Sequence, residues 1–202
     1  WMRWLKRAAK LAALVLVLGA VAVWVLLRHY EAELPSTADL QNYDPPQVTR
    51  VLARDGTVLA ELFVERRTVV TIDAIPKVVK MATLAAEDAE FYRHQGLDYV
   101  GMLRALIVTL RAGKAVQGGS TITQQLAKNL FLTQERTFER KIKEAALALA
   151  LEQRLDKEEL LTLYLNQIYL GQVGGVAICG VDQAARVYFG QSAERIGLGQ
   201  AA

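Results

Sequence analysis

Along the chain the spacing of apolar residues changes three times, and each change predicts a different kind of element. Leu11 to Leu27 contains no charged residue. At about 1.5 Å per residue a helix over that run covers roughly 25 Å, which spans a bilayer once flanking cations snorkel to the interface. Glu31 to Gln47 is polar and broken by Pro35, Pro45 and Pro46, as a linker is. Val48 to Ala53 and Thr57 to Val64 flank Asp55-Gly56, a strong hairpin signal, and Thr68 to Ile72 offers a third extended piece. Beyond Pro76 the period becomes helical. Lys77 to Tyr92, Tyr99 to Arg111, Thr121 to Leu132, Thr137 to Leu155, Lys157 to Tyr169 and Val181 to Tyr188 each predict a helix, with glycines between them. The expected architecture is a mainly α domain over 48–202 with a small β element at its entrance, preceded by one transmembrane helix.

The flanks of the first apolar run orient it. Arg3, Lys6, Arg7 and Lys10 precede it with no acidic residue among them, which places residues 1–10 in the cytoplasm, 11–27 in the membrane, and the 28–47 linker and everything after it outside. Ala20 and Ala22 are spaced like a signal-peptide cleavage site, but the apolar run continues to Leu27 and exceeds a normal signal core. An uncleaved signal anchor in the cytoplasmic membrane is the expectation.

Charge then narrows the partner. The net charge is +3, yet residues 1–27 hold four cations and no anion, so the exported part is slightly acidic. Within it, residues 28–103 carry eight basic and twelve acidic side chains, and residues 104–154 carry nine and four. A positive field confined to one stretch suits a localised anion better than a long polyanion, so no nucleic-acid partner is expected. Cys179 is the single cysteine and is expected in the core; His29 and His94 are too far apart for a histidine-based metal site.

The basic stretch contains GGSTITQQLAKNL, residues 118–130. Gly118 and Gly119 allow close approach of a ligand, and Ser120 or Thr121 can cap the helix that follows, whose N-terminus attracts anions. Ser120, Gln124 and Lys128 form one stripe at helical spacing, with Thr121, Gln125 and Asn129 beside it. A capped surface helix and an anion- or sugar-binding wall both fit this pattern. In EDAEFYRHQGLD, Glu87 and Asp88 end a largely apolar helix, where Glu87 is either a plain exposed helix residue or a carboxylate that desolvation prepares for proton transfer, while Phe91, His94, Gly96 and Asp98 suggest a shaped turn. In RKIKEAALALALE, Arg140, Lys143 and Glu144 share a face at the mouth of a buried helix, a solvated end or a diphosphate-neutralising group. Two glutamates on separate helices are what glycosyl-bond chemistry commonly uses.

Together with ELLTLYLNQIYLG and GVDQAARVYFG, these segments form five ordered motifs over about 48–200, and the chain thereby resembles the peptidoglycan glycosyltransferases. Those enzymes occur as monofunctional proteins and as the N-terminal domain of class A penicillin-binding proteins. The resemblance implies a lysozyme-like helical fold that polymerises lipid II at the outer face of the membrane, with the growing glycan strand and cell wall synthesis proteins as partners. It implies Glu87 as general base and Glu144 as the second essential glutamate. Lys128, Arg136, Arg140 and Lys143 would contact or lie near the diphosphate, and Ser120, Gln124, Gln125 and Asn129 would line the cleft, with Asp88, Phe91, His94, Gly119 and Thr121 in the same substrate-binding set. A divalent cation, magnesium or manganese, is implied by the resemblance and by no ligand spacing. QVGGVAIC, between Gly171 and Gly180, departs from the family pattern and is expected to differ as a local loop. A peptidoglycan-cleaving enzyme and a non-catalytic lipid II-binding module are the rival readings; the first would not need the cations around Lys128, and the second would need neither glutamate.

Overall fold

A computed structural model describes residues 49–54, 58–62, 65–113, 118–133, 135 and 137–202, with scattered positions between 4 and 28. Strands β1 (Thr49–Leu52) and β2 (Val58–Leu62) pair antiparallel, Thr49 opposite Leu62, in the expected hairpin. Its Asp55-Gly56 turn, the 29–47 segment and Arg136 lie outside the described residues. So does much of the 11–27 run, whose described members are helical and exposed. Among the described residues no helix is long and apolar enough to cross a membrane.

Among the described residues six longer helices follow: α1 (Lys77–Glu87), α2 (Tyr99–Ala112), α3 (Ile122–Phe131), α4 (Phe138–Arg154), α5 (Lys157–Gln167) and α6 (Val181–Phe189), with a short α7 (Leu198–Ala201) after them. The core gathers where α3, α4 and α5 meet. Ile122, Leu126, Leu151, Leu160, Leu161, Tyr164 and Leu165 are fully buried there, and Phe91 closes one side. Burial of that many large side chains, each about 1.5–3 kcal/mol relative to exposure, fixes the relative positions of the three helices. Helix α2 contributes nothing to this cluster. Among the buried residues α2 supplies Ala105, while Tyr99, Val100, Leu103, Leu106 and Leu110 stand exposed.

Two expectations are corrected. The helix predicted over 77–92 stops at Glu87, because Asp88 leaves helical geometry and turns its carboxylate toward the start of α3. The 68–72 piece is not a strand: Val70 donates to Asn166 Oδ1 and accepts from Asn166 Nδ2, both at 2.9 Å, so a side-chain amide satisfies its backbone. The strand is β3 (Glu65–Arg67) instead, parallel to β5 (Val176–Cys179), which pairs antiparallel with β4 (Tyr169–Val173). Residues 172–179 thus form most of a hairpin turning at Gly174 and Gly175, where a loop was expected. Cys179 is buried, as expected.

Candidate active site

The start of α3 organises a cleft of about 610 Å³ lined by Glu87, Asp88, Glu90, Arg104, Gly119, Ser120, Thr121, Gln125 and Lys128, among others. Thr121 is the N-cap, and Gln124 completes a capping box: Gln124 N–H donates to Thr121 Oγ1 at 3.2 Å and Thr121 N–H donates to Gln124 Oε1 at 3.0 Å. Thr121 Oγ1 also donates to the Gly96 carbonyl at 2.6 Å, which ties the cap to the turn after α1. Gly119 packs tightly on α2, since a Cβ there would sit 3.3 Å from Ala105 Cβ and from Met102 Cα, closer than ordinary contact. Gly119 and Arg104 of α2 both line the cleft.

Glu87 ends α1 with its carboxylate exposed, in line with the plain helix-surface reading and not with the desolvated one. Among the described residues it is held by one hydrogen bond, Gln125 Nε2 donating to Oε2 at 2.7 Å. Gln125 Oε1 in turn accepts from the Tyr164 hydroxyl at 3.2 Å. Burial, then the charges of Glu87 and Asp88, push the Tyr164 phenol well above the usual tyrosine value, so it remains a donor. Asp88 is buried and structural in its contacts. It accepts from Ile122 N–H at 3.0 Å and from His94 Nε2 at 3.0 and 3.1 Å, closing the N-terminus of α3 with a negative charge.

The second glutamate, Glu144, is buried on α4 and bracketed by cations. Arg140 Nη1 lies 2.7 Å from Oε2, and Lys141 Nζ contacts Oε1. Lys141 Nζ also donates to Ser120 Oγ at 2.7 Å, so Glu144 is joined to the cleft wall through that lysine.

Several expected site residues point elsewhere. Gln124 is fully buried and consumed by the capping box, so the stripe Ser120, Gln124, Lys128 does not face the cleft as a unit. Phe91 is fully buried in the core, with Lys157 Nζ 4.4 Å above its ring. His94 faces Asp88, Asn129 is exposed outside the cleft lining, and Lys143 pairs with exposed Glu139 at 2.8 Å on the outer side of α4, holding that carboxyl below its ordinary value. Three residues were not foreseen: Arg104, Lys141 and Tyr164. Lys141 stands at i, i+3 from Glu144 and was open to the spacing argument applied to Arg140; Arg104 comes to the cleft, and Tyr164 to Gln125 behind it, only through tertiary packing.

Residues 55–202 match the family model described as Transglycosylase. Similar curated proteins include penicillin-binding protein 1A of Aquifex aeolicus, 48% identical over 90% of this chain and 24% of the relative. That of Escherichia coli is 44% identical over the whole chain and 23% of the relative, and that of Neisseria gonorrhoeae 41% identical over 91% of the chain and 22% of the relative. The chain thus spans about a quarter of the length of these relatives. The family model covers most of the chain, and the chain belongs to the transglycosylase family.

Proposed function

We propose that this protein polymerises lipid II into glycan strands in bacterial cell wall synthesis, by inverting glycosyl transfer with release of undecaprenyl diphosphate. The observation that carries the reading is the pairing, in one cleft, of an accessible carboxylate steadied through a single oxygen with two cations, Lys128 and Arg104, that make no ion pair among the described residues. Glu87 takes the proton from the 4-hydroxyl of the acceptor's N-acetylglucosamine. The oxygen so activated bonds to C1 of the donor's N-acetylmuramic acid from the face opposite the leaving group. The C1–O bond to the diphosphate breaks, and its electron pair leaves with undecaprenyl diphosphate. Lys128 and Arg104 meet the charge that develops on that diphosphate, and preorganised cations act most strongly where charge grows in the transition state. Glu144 holds Lys141 and Arg140 in place beside Ser120. Arg136 joins the cationic set by resemblance.

The catalytic domain works on the outer side of the cytoplasmic membrane, anchored by residues 11–27 as a single pass. The described positions Leu11, Leu14, Val17, Leu18, Val21 and Val25 are exposed and apolar, as a lipid-facing helix is. The apolar face of α2, including Ile107, provides a surface that rests against lipid and admits the substrate's tail. Cell wall synthesis proteins are proposed as further partners.

The divalent cation implied by the resemblance finds no dedicated protein site: among the described residues no three His, Cys, Asp or Glu side chains gather to hold one, and both Glu144 oxygens are engaged by cations. Were such a cation bound, the substrate's diphosphate would have to supply its ligands, and its charge would help neutralise that group. Chelation that lowers turnover without changing the melting temperature is the expected result.

The deciding experiment incubates the full chain with lipid II in detergent and follows glycan polymer and released undecaprenyl diphosphate. Glu87→Gln is expected to abolish both while retaining lipid II binding. Cleavage of finished glycan without consumption of lipid II would replace this reading with that of a hydrolase.

A further inference from the structure

We propose that Tyr164 is a positioning residue for this reaction, acting through Gln125 to decide which oxygen of Glu87 receives the proton. The inference rests on the reading of Glu87 as base. An ionised carboxylate only accepts hydrogen bonds, so the atom of Gln125 that faces Glu87 has to be its amide nitrogen. The amide oxygen then faces Tyr164, and Tyr164 has to donate. The observed contacts agree on every link: Tyr164 hydroxyl to Gln125 Oε1 at 3.2 Å and Gln125 Nε2 to Glu87 Oε2 at 2.7 Å. Each donor and acceptor along the chain has one compatible orientation.

The consequence concerns the two oxygens of Glu87. Oε2 is committed to Gln125, and Oε1 has no hydrogen-bond partner among the described residues. A substrate hydroxyl entering the cleft meets Oε1 as the open acceptor, with the carboxylate plane held by the other oxygen. Tyr164 never reaches the cleft itself. It is fully buried among the α3 and α5 core residues, and it is absent from the cleft lining while Gln125 is part of it. A buried hydroxyl at the end of a chain that terminates on the base has a rigid anchor, which the half-buried Gln125 lacks on its own. Without the tyrosine O–H, the amide is free to rotate and Glu87 samples orientations in which neither oxygen is aligned.

The test is a double-mutant cycle on the full chain with lipid II as substrate. Tyr164→Phe keeps the ring in the core and removes only the donor. It is expected to lower kcat about tenfold with KM within twofold, the effect of a single neutral hydrogen bond that matters for alignment. In a Gln125→Ala background the same Tyr164→Phe change is expected to have no further effect, because the link it anchors is already gone. Thermal melting of each variant accompanies the kinetics. Unimpaired turnover by Tyr164→Phe overturns the proposal. So does an equal loss in both backgrounds, which makes Tyr164 a packing residue with no route through Gln125. Polymerisation by Glu87→Gln removes the base itself and is a separate failure, since loss of activity in Glu87→Gln with a silent Tyr164→Phe defeats this inference alone.

Discussion

Lys141 Nζ stands 2.7 Å from Ser120 Oγ while also contacting the buried Glu144 carboxylate, so one side chain ties helix α4 to the loop that opens α3. Its neighbour two positions on, Lys143, pairs instead with exposed Glu139. These two lysines are predicted to behave differently. Lys141→Met leaves Glu144 with Arg140 alone and frees the Ser120 loop; a cost of about 1–2 kcal/mol is expected, discounted for the partial exposure of Lys141, with at least a tenfold loss of lipid II polymerisation. Lys143→Met removes a solvent-screened surface pair and is expected to leave the melting temperature essentially unchanged with turnover within threefold. Parallel melting curves and polymerisation rates check the contrast, and equal losses in both variants would sink it.

Asp88 concerns stability first. Asp88→Asn keeps an acceptor for Ile122 N–H but turns a donor toward His94 Nε2, which then has to accept, and the proton moved to His94 Nδ1 finds no acceptor among the described residues. One buried polar group is then left unsatisfied at a cost of about 2 kcal/mol, which for a chain of this size lowers the melting temperature by about 6 °C. Calorimetry of the variant is the check; an unchanged melting temperature would mean the three-way contact contributes nothing.

Alkaline pH is expected to weaken the fold through two tyrosines. Tyr164 is raised by burial and then by Glu87 and Asp88, and Tyr92 is pushed up to about 12 by burial and then by its bond to, and charge from, Glu158. The unfolded chain releases these protons near pH 10 and the folded protein only above it. The unfolded state therefore binds fewer protons in that window, and stability present below pH 10 is lost as pH rises toward 12. Urea midpoints measured across that range should fall, and the fall should be shallower in Tyr164→Phe and Tyr92→Phe.

Gly171 tests the hairpin that replaces the expected loop. Its φ is +128°, and a Cβ there would lie 2.2 Å from the Tyr188 hydroxyl, which donates to the Leu170 carbonyl at 2.9 Å. Gly171→Ala imposes both backbone strain and a clash, and a destabilisation of about 2–3 kcal/mol is expected. A melting temperature equal to wild type would show that the β4–β5 hairpin yields freely.

How much of this was legible beforehand depends on how local each determinant is. Helices α2 to α6 follow from periodicity and caps, and the Thr121 and Gln124 capping box is readable as a spacing of three. The same spacing explains the misplaced polar stripe: Gln124 reaches back to its cap and so turns inward. Helix α1 ends at Glu87 for a reason more than thirty residues away, the Ile122 amide, and nothing beside Asp88 announces it. The β4–β5 hairpin had a local signal, Gly174-Gly175 between apolar runs, but the parallel pairing of β3 with β5 is a tertiary event. Glu87 and Glu144 were found by motif, whereas their surroundings, an exposed carboxylate on one side and a buried one bracketed by cations on the other, come only from packing.

Helix α2 has a practical bearing on the protein in the test tube. Its Tyr99, Val100, Leu103, Leu106 and Leu110 leave a large apolar surface exposed. In detergent-free buffer such surfaces find one another, so the sample is expected to self-associate with rising concentration. Specific activity measured without micelles would then decline as more enzyme is added, and a titration of detergent through its critical concentration should restore proportionality.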